Sequence, residues 1–169
     1  MLTPKRKPAV LFVDDDRLYH TSSRRIAKAL NLRPRFALSP QQAKQIIAKR
    51  VAAIERLQKQ KAAKLKTTAN TMQRRVLQQQ LHALEQMKKS PFDLIVSDIN
   101  MPRGNPTGVG FARDLKKNFS KQKLLIHSDD VGAMDLLSRE DKIPSSTKLD
   151  FYSEAKLKGA IRRMLPRTQ

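Results

Sequence analysis

Short, uninterrupted apolar segments recur along this chain and alternate with amphipathic segments. Continuous apolar segments of four to eight residues are typical of strands buried on both faces of a parallel sheet. The segments between them carry apolar residues at helical spacing and predict helices. Alternation of strand and helix indicates a three-layer α/β fold with right-handed crossovers. The five predicted strands cover residues 9–13, 35–38, 92–99, 124–127 and 143–147.

Four of the predicted helices are short. They cover about 17–30, 109–118, 131–137 and 152–165. In the first of them the apolar residues Leu18, Ile26, Ala29 and Leu30 lie at helical spacing.

The long middle segment, residues 41–89, contains no glycine and no proline and is rich in strong helix formers. Its one stretch of low helix propensity is 67–71, which predicts two antiparallel helices joined there. A single unbroken helix would run about 70 Å and end far from the strand that follows. That alternative, with strands exchanged between two chains, remains open. The apolar residues expected to hold the two helices together are Val51, Ile54, Leu57, Leu81, Leu84 and Met87.

Length and composition indicate a single domain of 169 residues. Its core is expected at 9–40 and 91–165, with 41–90 inserted as a helical hairpin. The chain has no cysteine, which excludes disulfides, thiolate metal sites and thiol nucleophiles. No segment is long enough to span a membrane or to form a signal peptide, so we expect a soluble cytoplasmic protein.

Carboxylates follow two of the predicted strands. Asp14 and Asp15 come directly after the first strand, and Asp98 lies near the end of the third. Ligand sites of α/β folds lie at the carboxyl edge of the sheet, so these side chains are expected to meet there. Neighbouring carboxylates repel one another unless a cation lies among them, and hard oxygen ligands suit Mg²⁺. The sequence therefore predicts a magnesium site.

Taken in order, these residues resemble a family. Val13 to Asp16, Asp98 to Pro102 with Gly108 downstream, Ser128 after the fourth strand and Lys148 after the fifth look like a CheY-like response-regulator receiver domain. The resemblance covers about 9–40 and 91–165. It implies a flavodoxin-like, doubly wound sheet of five parallel strands in the order 2-1-3-4-5.

The resemblance also implies a role for each residue of the site. Asp98 matches the phosphoacceptor, and Asp14 and Asp15 match the acidic pair that binds Mg²⁺. The backbone carbonyl of Asn100 is expected to complete the protein ligands of the metal. Ser128 matches the hydroxyl residue that contacts the phosphoryl group, and Lys148 matches the lysine that pairs with its oxygens.

The sequence departs from the family's pattern at several positions. Asp129 stands where the family has a small residue, so we expect it to repel a phosphoryl donor or to slow water. Ser146 replaces the aromatic residue that reports phosphorylation, and Leu149 replaces a proline. The loop 101–108 is about two residues longer than usual. We expect His127, on the fourth strand, to be a packing residue.

The net charge of the chain is +20, and half of it lies in the middle segment. Residues 41–90 contain twelve lysines and arginines against two glutamates, a net charge of +10. Such a charge favours an anionic partner. Two interpretations stay open: an arm for protein contact, including homodimerisation through 41–89, or an arm that binds nucleic acid. The segment has no aromatic residue for reading bases.

Three functions follow from these observations. The first is a single-domain receiver of a phosphorelay, not an enzyme beyond its own phosphorylation and dephosphorylation, whose donor is a histidine kinase or phosphotransfer protein. The second is a receiver-shaped scaffold that works without phosphorylation. The third is a nucleic-acid-binding regulator that uses the basic middle segment.

Overall fold

A five-stranded parallel sheet forms the centre of the molecule. The computed structural model describes residues 6–101, 107–148 and 153–165. The strands lie in the order β2-β1-β3-β4-β5, and every neighbouring pair is parallel, so the predicted fold class and order are confirmed. They are β1 (Ala9–Val13), β2 (Arg33–Ala37), β3 (Leu94–Ser97), β4 (Leu124–Ser128) and β5 (Ser145–Thr147).

Helices cover both faces of the sheet. Alternate residues of each strand point to opposite faces, so Leu11 and Val13 enter one core cluster and Val10 and Phe12 enter the other. One cluster includes residues of α2, α4 and α5, and the other includes residues of α1 and α6. The helices are α1 (Arg17–Ala29), α2 (Pro40–Thr67), α3 (Thr71–Lys89), α4 (Gly108–Asn118), α5 (Val131–Glu140) and α6 (Ser153–Met164).

Several strand boundaries differ from the predicted ones. Strand β2 begins at Arg33, two residues before the prediction; Pro34 is tolerated there because β2 is an edge strand. Strand β3 is shorter than predicted, although Phe92 and Ile99 beyond its ends are both buried. Leu18 of α1 does not face the core, since its side chain is 79% exposed. The inward face of α1 instead carries His20, Ser23, Ile26 and Ala27.

The predicted two-helix arrangement is present, with α2 and α3 joined at Thr68–Asn70. Helix α2 begins at an N-cap serine, Ser39, followed by proline, which is a favourable helix start. The Asn70 side chain caps α3 by accepting from the backbone N–H of Gln73 at 3.0 Å. Arg74 then donates to the carbonyl of Thr68 at 3.1 Å and so holds the turn closed.

Polar contacts join α2 to α3. Glu55 pairs with Lys88 at 2.8 Å, and Gln58 donates to Glu85 at 2.9 Å. Ile54 and Leu84 are buried as expected. The expectation for Leu57 is wrong: it is 46% exposed, because Gln58, one position along, continues the inward row of α2.

Gly108 permits close packing of α4 against the loop after β3. A Cβ added at Gly108 would lie 2.6 Å from the carbonyl oxygen of Ile99, and the clash is with backbone. We expect Gly108→Ala to lower the free energy of unfolding by about 2–3 kcal/mol, measured by urea denaturation.

Gly132 is the matched control for that substitution. An added Cβ there has only the Asp130 carboxylate nearby, at 3.6 Å, and the site is helical. Gly132→Ala is expected to leave stability unchanged or raise it by up to about 1 kcal/mol. Equal losses at the two glycines would contradict the steric explanation.

No helix in the described ranges is long and apolar enough to cross a membrane. Three features singled out in the sequence lie outside those ranges. They are Leu149, Tyr152 and the centre of the 101–108 loop, residues 102–106.

Candidate functional site

The predicted site residues converge because the hydrogen-bond ladder of the sheet continues past the strand ends. The N–H of Asp98 donates to the carbonyl of Val13 at 2.8 Å, and the N–H of Lys148 donates to the carbonyl of Ser128 at 2.9 Å. Asp14 is held in the same way by the carbonyl of Ala37, at 3.0 Å. Adjacent strands therefore deliver these side chains to one edge, as the sequence predicted.

Three carboxylates form the acidic part of the site. Side-chain oxygens of Asp14, Asp15 and Asp98 lie within 4.8 Å of one another. Asp14 and Asp98 are buried, whereas Asp15 is exposed. The third residue of the acidic triplet, Asp16, has another role: it caps α1 by accepting from the N–H of Leu18 at 2.8 Å.

Asp98 lies at the centre of a set of hydrogen-bond donors. Its Oδ1 accepts from the Ser128 hydroxyl at 2.6 Å and from the N–H of Asn100 at 2.9 Å. Its Oδ2 accepts from Lys148 Nζ at 2.7 Å. Lys148 also donates to Asp14 Oδ2 at 2.6 Å, so one ammonium group bridges two buried carboxylates.

Burial and hydrogen bonds act in opposite directions on these groups. Burial alone would raise the pKa of Asp98, but the bonds from Lys148, Ser128 and Asn100 hold that pKa below its usual value. Asp14 has fewer such bonds, and burial raises its pKa to about 6 against the effect of Lys148. Burial would lower the pKa of Lys148, but Asp14 and Asp98 together raise it. At neutral pH, Asp98 is therefore an ionised carboxylate and Lys148 a cation.

The charge balance of the site fits a divalent cation. Three carboxylates face one ammonium group, which leaves two negative charges uncompensated at neutral pH. An all-oxygen donor set of this kind suits Mg²⁺ better than softer metals. Asp14, Asp15 and Asp98 are the side chains that would hold the ion, and the bound ion would neutralise charge near Asp98.

Magnesium is expected to stabilise the folded protein by mass action. At a concentration 100 times the dissociation constant, the gain is about 2.7 kcal/mol, visible as a thermal shift. Asp15→Ala should abolish this shift without unfolding the protein, because Asp15 is exposed. Asp16→Asn, which removes a charge but keeps a capping oxygen, should preserve it. An undiminished shift in Asp15→Ala would make the metal assignment wrong.

One aromatic residue of the site was missed by the sequence reasoning. The Tyr19 ring lies 4.7 Å from Lys148 Nζ and 5.3 Å from the His127 ring, between centroids. Burial, with the nearby charge of Asp14, raises the pKa of Tyr19, so its hydroxyl stays neutral. Its spacing of four and seven residues from Ser23 and Ile26, both buried, is the sequence signal that could have identified it.

The departures from the family's pattern lie around the site. Asp129 is exposed beside Asn100, whose side-chain amide donates to it at 3.1 Å. Ser146 contributes its backbone carbonyl, which accepts from His127 Nδ1 at 3.0 Å. Ser146 of β5 is small, and the aromatic ring next to Lys148 is that of Tyr19 on α1.

His127 is expected to make the protein less stable in mild acid. Burial lowers its pKa to about 4, so the unfolded chain binds a proton below the ordinary value of about 6.5 while the folded protein does not. Stability is therefore complete above about pH 6.5 and falls toward pH 4. Between pH 7 and 4.5 the loss is about 2 kcal/mol.

His127→Gln is the test of that linkage, by urea denaturation at both pH values. Glutamine keeps a donor for the Ser146 carbonyl but does not titrate. The variant should therefore lose about 2 kcal/mol less than the unaltered protein between pH 7 and 4.5. The raised pKa of Asp14 acts in the opposite direction, but it is present in both proteins. Identical pH dependence in the two proteins would rule the linkage out.

Comparison with solved structures places this fold among receiver domains. The signal receiver domain of an HD domain-containing protein from Pseudomonas fluorescens Pf-5 is 16% identical, with a TM-score of 0.63 over 98% of this chain and 91% of that one. The chemotaxis protein CheY4 of Vibrio cholerae is 15% identical, with a TM-score of 0.58 over 95% and 100% of the two chains. The HemR receiver domain of Leptospira biflexa is 18% identical, with a TM-score of 0.59 over 96% and 98%.

No protein-family model matches the chain, and no curated protein matches it. The likeness is therefore one of fold: the chain has the CheY-like fold of response-regulator receiver domains. Its acidic cluster lies at the edge of the sheet where the sequence predicted the phosphoacceptor site.

Proposed function

We propose that this protein is a phosphorylation-regulated receiver that accepts a phosphoryl group on Asp98 with Mg²⁺. The observation that carries the proposal is the setting of Asp98, whose two oxygens accept from Lys148 and Ser128 beside two further carboxylates. The expected donor is a histidine kinase or phosphotransfer protein in the cytoplasm. Beyond its own phosphorylation and dephosphorylation we expect no enzymatic activity.

The reaction would use Asp98 as a nucleophile. A carboxylate oxygen forms a bond to phosphorus, the bond from phosphorus to the donor breaks, and the donor leaves with that electron pair. Oδ2 is the better candidate, since it accepts one hydrogen bond from the described residues while Oδ1 accepts two. Lys148 and Ser128, which both donate to Asp98, would donate to the transferred oxygens and stabilise their charge.

Mass spectrometry after incubation with acetyl phosphate tests the proposal directly. With Mg²⁺ present, the protein should gain the mass of one phosphoryl group, and a chelator should prevent the gain. Asp129 next to the site is expected to slow small donors, so an Asp129→Ala protein should react faster. If neither protein gains mass with any donor, the proposal is wrong and the phosphorylation-independent scaffold is the better interpretation.

The hairpin of α2 and α3 is the proposed contact surface of the protein. On one side, a groove of about 430 Å³ lies between the helices and is lined by Lys61, Lys64, Met72 and Val76 among others. Met72 is 79% exposed and Val76 45% exposed. Exposed apolar side chains beside cations suit a protein partner better than a nucleic-acid duplex.

Homodimerisation through 41–89 stays a prediction, and these exposed side chains offer a sharper test than the buried ones. Met72→Glu with Val76→Glu should lower the molar mass in light scattering if this face joins two copies. Gln60→Glu with Gln79→Glu is the matched control for the added charge, since both glutamines are exposed. An unchanged mass in the Met72/Val76 variant would exclude a dimer through this face.

Nucleic acid binding is a second candidate function, and one feature of the hairpin favours it. Between Arg56 and Leu84 there are seven lysines and arginines and no acidic residue. An ion pair between the two helices, Glu55 with Lys88, lies near the end of α3 that leads to β3. If this part of the hairpin binds nucleic acid, affinity for a DNA duplex should fall steeply with salt. Weak salt dependence would exclude it.

A further inference from the structure

A cleft with a volume of about 660 Å³ opens between the edge strand β2 and helix α2, away from the acidic site. Phe92, which lines it, precedes β3, whereas Asp98 follows β3, so the cleft lies toward the opposite edge of the sheet. Its volume is in the range of roughly 300–1,000 Å³ that is typical of small-molecule sites. Its walls include Pro34, Arg35, Ile46, Lys49, Arg50 and Phe92.

The charge of this cleft is unbalanced. Arg35 comes from β2 and Lys49 and Arg50 from α2, so three cations from two elements converge on one concavity. Among the described residues, the side chains of Arg35 and Lys49 make no ion pair or hydrogen bond. The carboxylate closest in this network, Asp93, already accepts from Arg6 and from the N–H of Ala9, each at 2.7 Å.

Arg50 is held in position as a donor. Its guanidinium carbon lies 4.7 Å from the centroid of the Phe92 ring, and its Nε donates to the carbonyl of Pro91. Its other two nitrogens have no hydrogen-bond partner within the described part of the chain. Burial, with the charges of Arg33 and Arg6, lowers the pKa of Arg50. An arginine fork oriented in this way, among other cations, matches the geometry of a phosphate group.

A simpler explanation accounts for only part of this arrangement. Charged residues and proline on an edge strand prevent it from pairing with another sheet, which explains Arg33, Pro34 and Arg35. Edge protection does not explain why Lys49 and Arg50, on the separate helix α2, line the same cleft. Like charges brought together cost stability, and the nearby carboxylate, Asp93, is already paired with Arg6. A multivalent anion would relieve that cost.

We propose that this cleft binds a small organic polyphosphate, such as a nucleotide. The phosphate groups would lie among Arg35, Lys49 and Arg50, and the apolar walls would contact the organic part. The proposal is independent of phosphorylation at Asp98.

Isothermal titration calorimetry with ATP tests it, with chelator present so that the acidic site binds no metal. Arg35→Gln should weaken ATP binding by about tenfold, since charge-assisted hydrogen bonds are the strong ones. Arg35 is exposed, so this change should not unfold the protein. Arg50→Lys, which keeps the charge but not the fork, should weaken binding similarly. Asp98→Asn should leave ATP affinity unchanged.

Lys117→Gln is the control for net charge, because Lys117 is exposed on α4, away from the cleft. An equal loss in Lys117→Gln and Arg35→Gln would mean nonspecific attraction and overturn the proposal. Absence of ATP binding would overturn the proposal and leave edge protection as the explanation of Arg33 and Arg35. A DNA duplex is the alternative ligand. If Arg35→Gln weakens duplex binding and ATP does not displace the duplex, the cleft is part of a nucleic-acid surface instead.

Discussion

The Asp98→Asn protein is expected to take up no phosphoryl group from acetyl phosphate. The substitution preserves shape, and the amide oxygen still accepts from Ser128, but an amide nitrogen replaces the carboxylate oxygen that would attack phosphorus. Asp14 and Asp15, the neighbouring carboxylates, are expected to hold the metal ion rather than to attack phosphorus. Intact-protein mass spectrometry should therefore show one unmodified species, where the unaltered protein shows a phosphorylated one.

Asp129→Asn is the matched control, since it removes a carboxylate from the rim of the same site and leaves Asp98 in place. Phosphorylation should persist in this variant. Incorporation into Asp98→Asn at the rate of the unaltered protein would move the acceptor to another residue. Peptide mapping would then identify it.

The second large effect is expected from Lys148→Met. Removing this ammonium leaves Asp14 and Asp98, which are 0% and 5% exposed, without their shared cation. Breaking a buried ion pair from one side costs about 3–5 kcal/mol, and we expect a loss of this size in urea denaturation at pH 7. Phosphorylation should become slower, but Asp98 remains as its acceptor.

The pH dependence of that loss has a defined sign. Without Lys148, the folded-state pKa of Asp14, already raised to about 6, is expected to rise further, and the lowered pKa of Asp98 is expected to rise as well. The deficit should therefore grow as pH increases from about 4 to 7, because the carboxylates must then ionise without a partner.

Lys44→Met is the control for Lys148→Met. Lys44 also pairs with an aspartate at 2.7 Å, but both side chains are more than 40% exposed. An exposed pair contributes at most about 1 kcal/mol. If the two lysine variants lose the same stability, the buried bridge has no special role.

Much of the sheet and of the acidic site could be predicted from local signals. The central strands β1, β3 and β4 are buried, mostly apolar segments, and Asp14, Asp98 and Ser128 stand directly after or at the end of them. Strand β5 is short and polar, so Lys148 had no comparable signal of its own. The strand order and the places of Ser128 and Lys148 in the site were expected from the resemblance to receiver domains.

Other features depend on tertiary packing and left weaker signals. On α1, Tyr19 packs against the core and Lys148, whereas its apolar neighbour Leu18 is exposed, and hydrophobicity alone does not distinguish the two. In the hairpin, Gln58 lies inward and Leu57 outward because helix geometry, not hydrophobicity, sets the contact row. The basic cleft requires β2 and α2 to come together, and no pattern within either element predicts that.

The shape of α2 has a mechanical consequence. Its first turns, including Ala43 and Ile47, are packed in the core of the receiver body, whereas its distal half contacts α3. A helix of 28 residues is about 42 Å long, so a rotation of about 5° at its base displaces its far end by about 4 Å. A small rotation of α2 at its base is thus amplified at the far end of the hairpin. A probe attached near Ala69 would report it as a large change in its distance from a second probe on the receiver body.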